Sequence, residues 1–156
     1  MNLITDHRVF HGGTYNTNPV AMAAGLATFR EVLTSKAYEH VNWLNKKLVE
    51  GYEKQIHRTG LKAYVASAGA NGALMFFPKP IRTYRDWLTI DSDVWRHYWF
   101  AMVNRGVMPQ PYWWDEQWTI SVAHTDADIE KHLEVFAEVA PAVAAAQRER
   151  AVAVGR

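Results

Sequence analysis

The chain carries the three residue types of a hydrolase triad close together, in Ser121, His124 and Asp126. A working triad needs a nucleophile, a base and an orienting acid that converge on one point, usually from distant segments. Here the three residues lie within six positions, between a predicted strand and a predicted helix. Hydroxyl and carboxylate groups in that setting usually cap helix N–H groups. The pattern therefore favours capping over hydrolysis, and we assign no catalytic residue.

Metal and thiol chemistry find no support in the sequence. The chain has no cysteine, so disulfides, thiol nucleophiles and zinc–thiolate sites are excluded. Its seven histidines show no spacing typical of a metal site. We therefore predict no metal site. The absence of cysteine is compatible with a reducing cytoplasm, which is the location we expect.

A glycine-rich segment before a helix offers a different chemistry, the binding of phosphate. Gly12 and Gly13 would let the backbone approach a ligand closely, and the hydroxyl and N–H groups of Thr14 suit phosphate oxygens. The alternative is an ordinary glycine turn before a helix. A lone Gly-Gly-Thr sequence would favour that alternative.

An aromatic segment, Tyr112, Trp113 and Trp114, lies between prolines and a predicted strand. Such residues can line a cleft for a bulky or aromatic substrate. They can equally pack against the core or another domain, and we favour packing. The sequence alone leaves both possibilities open.

The overall composition indicates one domain with a substantial core and no anionic partner. Seventeen Lys and Arg face sixteen Asp and Glu, which gives a net charge of +1 and argues against binding to nucleic acid. Charges interrupt every apolar stretch before it reaches membrane-spanning length. The N-terminus lacks the features of a signal peptide. We expect neither a nucleic-acid nor a membrane partner.

The first half of the chain predicts two helices and a hairpin. Asn18 and Pro19 are typical of a helix start, and we predict a helix over 19–33 with many small residues. Ser35 is expected to cap a second helix over 36–59, which would end before Gly60. Two short strands, 63–66 and 73–77, follow with turn chemistry at 69–72. Residues 79–90 are predicted to form a surface loop.

The second half predicts a third helix, further short strands and a final helix. The third helix should begin at Asp91 or Ser92 and end near Gly106. Strands are predicted at 107–108 and 118–123, and a capping box at 125–128. Pro141 predicts a kink or an early stop in the last helix, and the tail after 147 is expected to fray. The predicted fold class is α+β, a mostly antiparallel sheet covered by helices.

Three segments together resemble the class III pyridoxal-phosphate (PLP) aminotransferases, of the aspartate-aminotransferase fold type. Residues 11–24 read HGGTYNTNPVAMAA and 72–77 read GALMFF; the third segment begins at Gly106-Val107 and ends in 121–129, which read SVAHTDADI. The last segment resembles the glutamate-1-semialdehyde 2,1-aminomutase branch in particular. The segments are in the family's order and span nearly the whole chain.

The resemblance implies that this chain is the C-terminal portion of such an enzyme. Residues 1–34 would be the end of the large PLP domain with an interdomain helix, 35–147 the small domain, and 148–156 the frayed tail. The lysine that holds PLP covalently would lie upstream, in a missing N-terminal PLP domain. The parent is expected to be a homodimer acting on a small-molecule amino substrate. The resemblance also assigns Thr14, beside Gly13, to the PLP phosphate of the neighbouring subunit.

One departure from many family members concerns the substrate. Class III transaminases often place an arginine before the late strand, where it holds a carboxylate. Residues 115–119 here read DEQWT, without arginine, which agrees with the aminomutase branch and leaves the substrate open.

Two functions follow from this interpretation. In the first, the chain is part of a PLP-dependent aminotransferase or aminomutase, is inactive alone, and binds no cofactor stably by itself. In the second, it is a stand-alone, non-enzymatic domain that binds a protein partner through its exposed former interface.

Overall fold

The computed structural model describes residues 2–114 and 116–153. The chain divides into two compact units, Met1–Tyr38 and Glu39–Arg156, and each is described by itself. The assignment of the predicted segments 1–34 and 35–147 to a large and a small domain stays a prediction.

The first unit contains helices α1, Asn2–Thr5, and α2, Pro19–Ala27. Asn18 caps α2 as predicted, since its Oδ1 accepts hydrogen bonds from the backbone N–H groups at positions 20 and 21 at 3.0 and 3.1 Å. The predicted helix over 19–33 changes type part-way, because Thr28–Val32 is a π-helical segment. The Thr28 hydroxyl donates to the Ala24 carbonyl at 2.9 Å, a contact of the kind that bends helices.

Helix α3, Ser35–Thr59, supplies one wall of the core of the second unit. Its predicted apolar stripe is confirmed, since the four residues expected on it are buried: Val41, Leu44, Leu48 and Tyr52. The predicted cap by Ser35 is wrong, because the Thr34 hydroxyl accepts the hydrogen bond from Ala37 N at 3.2 Å. Gly60 follows the helix with a φ of 68°, as a helix C-terminus prefers.

A three-stranded antiparallel sheet packs beside this helix in the order β1-β2-β3. The strands are β1 Tyr64–Ala68, β2 Asn71–Met75 and β3 Trp118–Thr119. The predicted hairpin is confirmed with strand bounds shifted by up to two residues, and Gly72 lies inside β2 rather than in the turn. It pairs with Trp118 of β3, whose indole occupies the space above the glycine.

Two predicted strands differ from the structure. Residues 107–108 form no strand. The strand predicted over 118–123 keeps two residues only, because the backbone N–H of Ser121 turns to donate to His124 Nδ1 at 3.0 Å. That contact closes a turn where the ladder would otherwise continue.

The segment predicted as a surface loop contains a short helix, α4, Tyr84–Trp87. A capping box forms it: Asp86 N donates to the Thr83 hydroxyl at 3.1 Å, and Thr83 N donates back to the Asp86 carboxylate at 3.0 Å. Helix α5, Ser92–Val103, then begins after its N-cap, Asp91, as predicted.

The last helix, α6, runs over Asp126–Ala153 and packs against α5. Its predicted capping box is confirmed, since Thr125 N donates to the Asp128 carboxylate at 2.7 Å and Asp128 N donates to the Thr125 hydroxyl at 3.4 Å. Where fraying after residue 147 was predicted, the helix continues to Ala153. Arg150 pairs with Asp91 and Asp93 at 2.8 and 2.6 Å, which ties this end to the start of α5.

Pro141 does not stop α6. A proline lacks the N–H that would bond to the carbonyl four residues earlier, here that of Ala137. The guanidinium of Arg58 donates to the Ala137 oxygen at 2.9 Å and takes the place of that bond. The contact joins the end of α3 to the middle of α6.

This arrangement predicts the effect of restoring the helix hydrogen bond. Pro141 is exposed, so Pro141→Ala should raise the free energy of unfolding, by roughly 1–3 kcal/mol, because the helix regains a donor and loses a steric clash. Urea unfolding of both proteins measures the change. The control introduces Arg58→Gln into both proteins. This change should destabilise Pro141→Ala less than the original protein, because residue 141 then has its own N–H to bond to the Ala137 carbonyl. A destabilised Pro141→Ala protein would contradict this reading.

The fold class is α+β, as predicted, with the core between α3, α5, α6 and the sheet. Its largest fully buried side chains include Trp95, Tyr52, Tyr98 and Phe136. No helix in the described part of the chain combines the length and apolar content needed to cross a bilayer.

Candidate functional site

The glycine-threonine turn lies in the first unit, immediately before α2. Asn16 N donates to the Gly13 carbonyl at 3.0 Å, and Asn18 N donates to the Tyr15 carbonyl at 3.1 Å. These two bonds fold the chain tightly ahead of the Asn18 cap. A Cβ on Gly13 would lie 3.2 Å from Asn16 Oδ1, so a larger residue would press on the turn.

Thr14 is exposed at the tip of this turn. Among the described residues, neither its hydroxyl nor its backbone N–H has a hydrogen-bond partner. Two adjacent free donors on an exposed turn suit an anionic oxygen. The Phe10 ring lies beside Gly12, 2.6 Å from where a Cβ would be, and the predicted part of Gly12 in phosphate binding stays a prediction.

The three residue types of a triad do not form one. Ser121 Oγ lies 2.9 Å from His124 Nδ1, but the same nitrogen accepts the Ser121 backbone N–H. Asp126 contacts Lys47 instead of the histidine. The prediction of capping and turn bonds is therefore confirmed. Across the described residues, no cluster of His, Asp and Glu could hold a metal ion.

The aromatic segment packs largely as predicted, with Tyr112 against α5 and Trp114 against Trp87 and the core. Tyr112 meets Trp95 and Trp99 edge to face, with ring centroids 5.3 and 4.9 Å apart. Trp113 stacks on Trp114 at 4.2 Å. About half of the Tyr112 and Trp113 side chains nevertheless stays exposed, 45% in each case. This surface could still face a bound molecule.

Gln110 fixes the path of that segment. It is 3% exposed, and its Nε2 donates to the Glu116 carbonyl at 2.9 Å. Trp99 Nε1 donates to the Gln110 carbonyl at 2.9 Å. Asp115, the first residue of the stretch without arginine, lies outside the described residues.

Comparison with known proteins identifies the family, although no family model matches the chain. Glutamate-1-semialdehyde 2,1-aminomutase of Desulfatibacillum aliphaticivorans is 33% identical over 131 residues, which are 84% of this chain and 31% of that protein. The enzyme of the same name from Akkermansia muciniphila is 33% identical over 128 residues, 81% of this chain and 29% of its own length.

Solved structures of related enzymes have a similar fold over most of this chain. A glutamate-1-semialdehyde aminomutase from Pseudomonas aeruginosa PAO1 matches with a TM-score of 0.76 at 24% identity, over 86% of this chain and 30% of that one. A transaminase with PLP bound matches with a TM-score of 0.70 at 21% identity, over 90% of this chain and 31% of that one. The chain belongs to the class III PLP aminotransferases. It corresponds to their C-terminal portion and spans about 30% of the length of its curated relatives.

The residues of this class III chain fit one part of PLP, the phosphate. The two free donors of Thr14 suit phosphate oxygens, and Gly13 keeps the turn free of a side chain beside them. The assignment of Thr14 and Gly13 to the cofactor stays a prediction.

Sequence reasoning missed a buried polar chain in the second unit. The hydroxyl of Tyr52 lies 2.6 Å from the Tyr98 hydroxyl and 2.6 Å from His132 Nε2. Burial raises the pKa of both tyrosines, and burial lowers the pKa of His132 to about 4. The available signal was the position of His132 on the apolar stripe of α6, three residues after Ile129 and four before Phe136.

Proposed function

We propose that this chain is the C-terminal part of a PLP-dependent aminotransferase or aminomutase that acts on a small-molecule amino substrate. What supports this is the similarity to aminomutases along more than four fifths of the chain, together with the free donors of Thr14. When bound, PLP acts as an electron sink for reactions at the carbon that bears the amino group. The lysine that holds PLP would come from the rest of the parent, so this chain alone would be inactive.

In this proposal the chain binds and orients rather than reacts. Thr14 would donate its hydroxyl and N–H hydrogens to the PLP phosphate of the neighbouring subunit of a homodimer. The exposed faces of Tyr112 and Trp113 would form part of the wall around an amino substrate. The cytoplasm is the location we propose for the parent.

The experiment that tests this proposal removes the Thr14 hydroxyl in the full-length parent. Thr14→Val keeps the shape but loses a hydrogen bond to a charged group, which typically costs about 1.5–3 kcal/mol. We expect PLP to bind about tenfold to a hundredfold more weakly. The measurement is equilibrium titration of the apoenzyme with PLP. Thr14→Ser is the matched control, because it retains the hydroxyl and should bind PLP nearly normally.

A subunit-mixing experiment tests whether the contact crosses between subunits. The Thr14→Val subunit is paired with a subunit that lacks the PLP-binding lysine but keeps Thr14. One site of that heterodimer has both an intact lysine and an intact Thr14, and it should bind PLP with normal affinity. Unchanged affinity in the Thr14→Val homodimer, or no recovery in the heterodimer, would leave Thr14 an ordinary turn residue.

The same parent distinguishes the alternative of a non-enzymatic binding domain. A PLP enzyme should load one PLP per subunit and convert an amino compound. A protein that neither binds PLP nor shows amino-group turnover would favour the alternative.

A further inference from the structure

A cavity of about 290 Å³ lies in the second unit beneath β3 and the start of α6. Apolar side chains supply most of its wall, and they include Leu48, Pro109, Trp118 and Ile129. His132 is among its polar members. The volume is at the small end of the range for ligand pockets, about 300–1,000 Å³.

The buried polar chain determines which nitrogen of His132 carries the proton. Tyr98 is fully buried, and within the described structure its hydroxyl has one hydrogen-bond partner, the Tyr52 hydroxyl at 2.6 Å. A buried hydroxyl hydrogen without an acceptor is costly, so Tyr98 donates to Tyr52. Tyr52 must then donate its own hydrogen to His132 Nε2 at 2.6 Å. Nε2 is therefore the unprotonated nitrogen.

His132 is consequently a neutral imidazole with its hydrogen on Nδ1. Burial lowers the pKa of His132 to about 4, which keeps the ring neutral near pH 7. In the described part of the chain, nothing accepts a hydrogen bond from Nδ1. Nδ1–H is thus the free donor of His132, which is one of the residues that line the cavity.

The remaining lining disfavours an anion. No lysine or arginine belongs to the described wall, so an anion would lack a counter-charge. Asp128 adds a carboxylate, but that group already accepts the Thr125 N–H and hydroxyl, both at 2.7 Å. His124 Nδ1 is likewise engaged by Ser121.

We propose that this cavity binds a small, uncharged organic molecule with an apolar body and one accepting oxygen, which takes a hydrogen bond from His132 Nδ1–H. A ketone, ester or amide carbonyl meets this description. The site does not depend on the function proposed for the parent, because no part of the argument uses PLP or Thr14.

A matched pair of probes tests the proposal: acetophenone and isopropylbenzene, which have similar shapes but differ in the carbonyl oxygen. Histidine-labelled full-length parent is titrated with each probe, and the ring nitrogens of His132 are followed by NMR. Before addition, Nδ1 should be protonated and Nε2 not. Acetophenone should shift the Nδ1–H signal and bind about tenfold more tightly than isopropylbenzene, as one hydrogen bond warrants.

Two variants show whether His132 causes the preference. In His132→Phe, the two probes should bind within about twofold of each other. Tyr52→Phe keeps the imidazole but removes the hydroxyl that fixes the position of its proton. The preference for acetophenone over isopropylbenzene should therefore also shrink. This variant gives a result even if His132→Phe misfolds. Equal affinities in the unaltered protein, an unmoved His132 signal, or a proton found on Nε2 would overturn the proposal.

Discussion

Replacing Gly72 by alanine should destabilise the second unit by about 2–4 kcal/mol, more than any surface change. A Cβ at this position would overlap the Trp118 indole, approaching Cε2 to 2.6 Å. Real Cβ atoms do not come this close, so either the strand or the indole must move. Overpacking of a buried position typically costs about 1–3 kcal/mol, and a lost buried hydrogen bond adds to it.

The indole of Trp118 has little freedom to move. Its Nε1 donates to Asn45 Oδ1 at 2.8 Å, and its ring stacks on Tyr52 with centroids 5.3 Å apart. Asn45 is itself buried, and its Nδ2 donates to the Ser67 hydroxyl and the Gly69 carbonyl, both at 2.8 Å. Displacing the indole would therefore disturb the polar contacts that hold α3 to the hairpin.

Urea unfolding of the Gly72→Ala protein measures this loss. Ala66→Val is the matched control, because it also adds methyl groups to the hairpin but on its exposed face. The control should stay within about 0.5 kcal/mol of the original protein. Equal stabilities for the two variants would show that the close approach of Gly72 and Trp118 does not matter.

Mild acid should weaken the second unit because of His132. Burial lowers the pKa of this histidine from 6.5 to about 4 in the folded state. Between those two values the unfolded chain binds more protons than the folded chain, so stability rises with pH in this window. As the pH falls from 6.5 to 4, the free energy of unfolding should decrease by roughly 3 kcal/mol, and the histidine term levels off outside these limits.

Unfolding free energies measured from pH 4 to pH 7 test this expectation. His132→Gln should remove most of the slope, since a glutamine can still accept from Tyr52 but does not titrate. His57→Gln is the control at an exposed position, and its slope should match that of the original protein. Hydrogen bonds from Thr83 and Thr125 lower the pKa of Asp86 and Asp128, so most of the stability that these two carboxylates contribute is lost at the acid end of this window and below it. A slope that persists in His132→Gln would contradict the account.

The sequence was most informative where the signal is local. The stripe of α3 and the caps at Asn18 and Thr125 depend on helical spacing and on side chains that reach a backbone only two or three residues away. Such features require no knowledge of the rest of the fold, and the structure confirms them.

The errors arise where a distant partner decides the structure. Gly72 reads as a turn residue, and only the pairing of β2 with β3 reveals that it makes room for an indole. Pro141 predicts a kink or an early stop; the helix does not stop there, and only Arg58, from another helix, shows how the freed carbonyl is satisfied. The polar chain of His132 is a further example. His132 bonds to Tyr52, which bonds to Tyr98, and the two tyrosines come from two other helices.

The candidate cofactor site shows a further limit of sequence reasoning. The phosphate contact predicted for the free donors of Thr14 requires PLP and the surface of a second subunit. Composition and residue spacing within one chain do not specify the surface of a second subunit. The assignment of Thr14 to the PLP phosphate therefore depends on the family resemblance over the whole chain. Similarity to aminomutases supports the family, while the role of Thr14 depends on the affinity measurements proposed above.

The most direct test of the central proposal asks where PLP is attached in the full-length parent. Borohydride reduction of the holoenzyme, followed by peptide mass spectrometry, locates the lysine that carries the cofactor. We expect one modified lysine in the part of the parent outside this chain, with none modified inside it. The lysines inside it are Lys36, Lys46, Lys47, Lys54, Lys62, Lys79 and Lys131. PLP found on any of these seven would contradict the proposal that this chain orients the cofactor and substrate rather than binding PLP covalently.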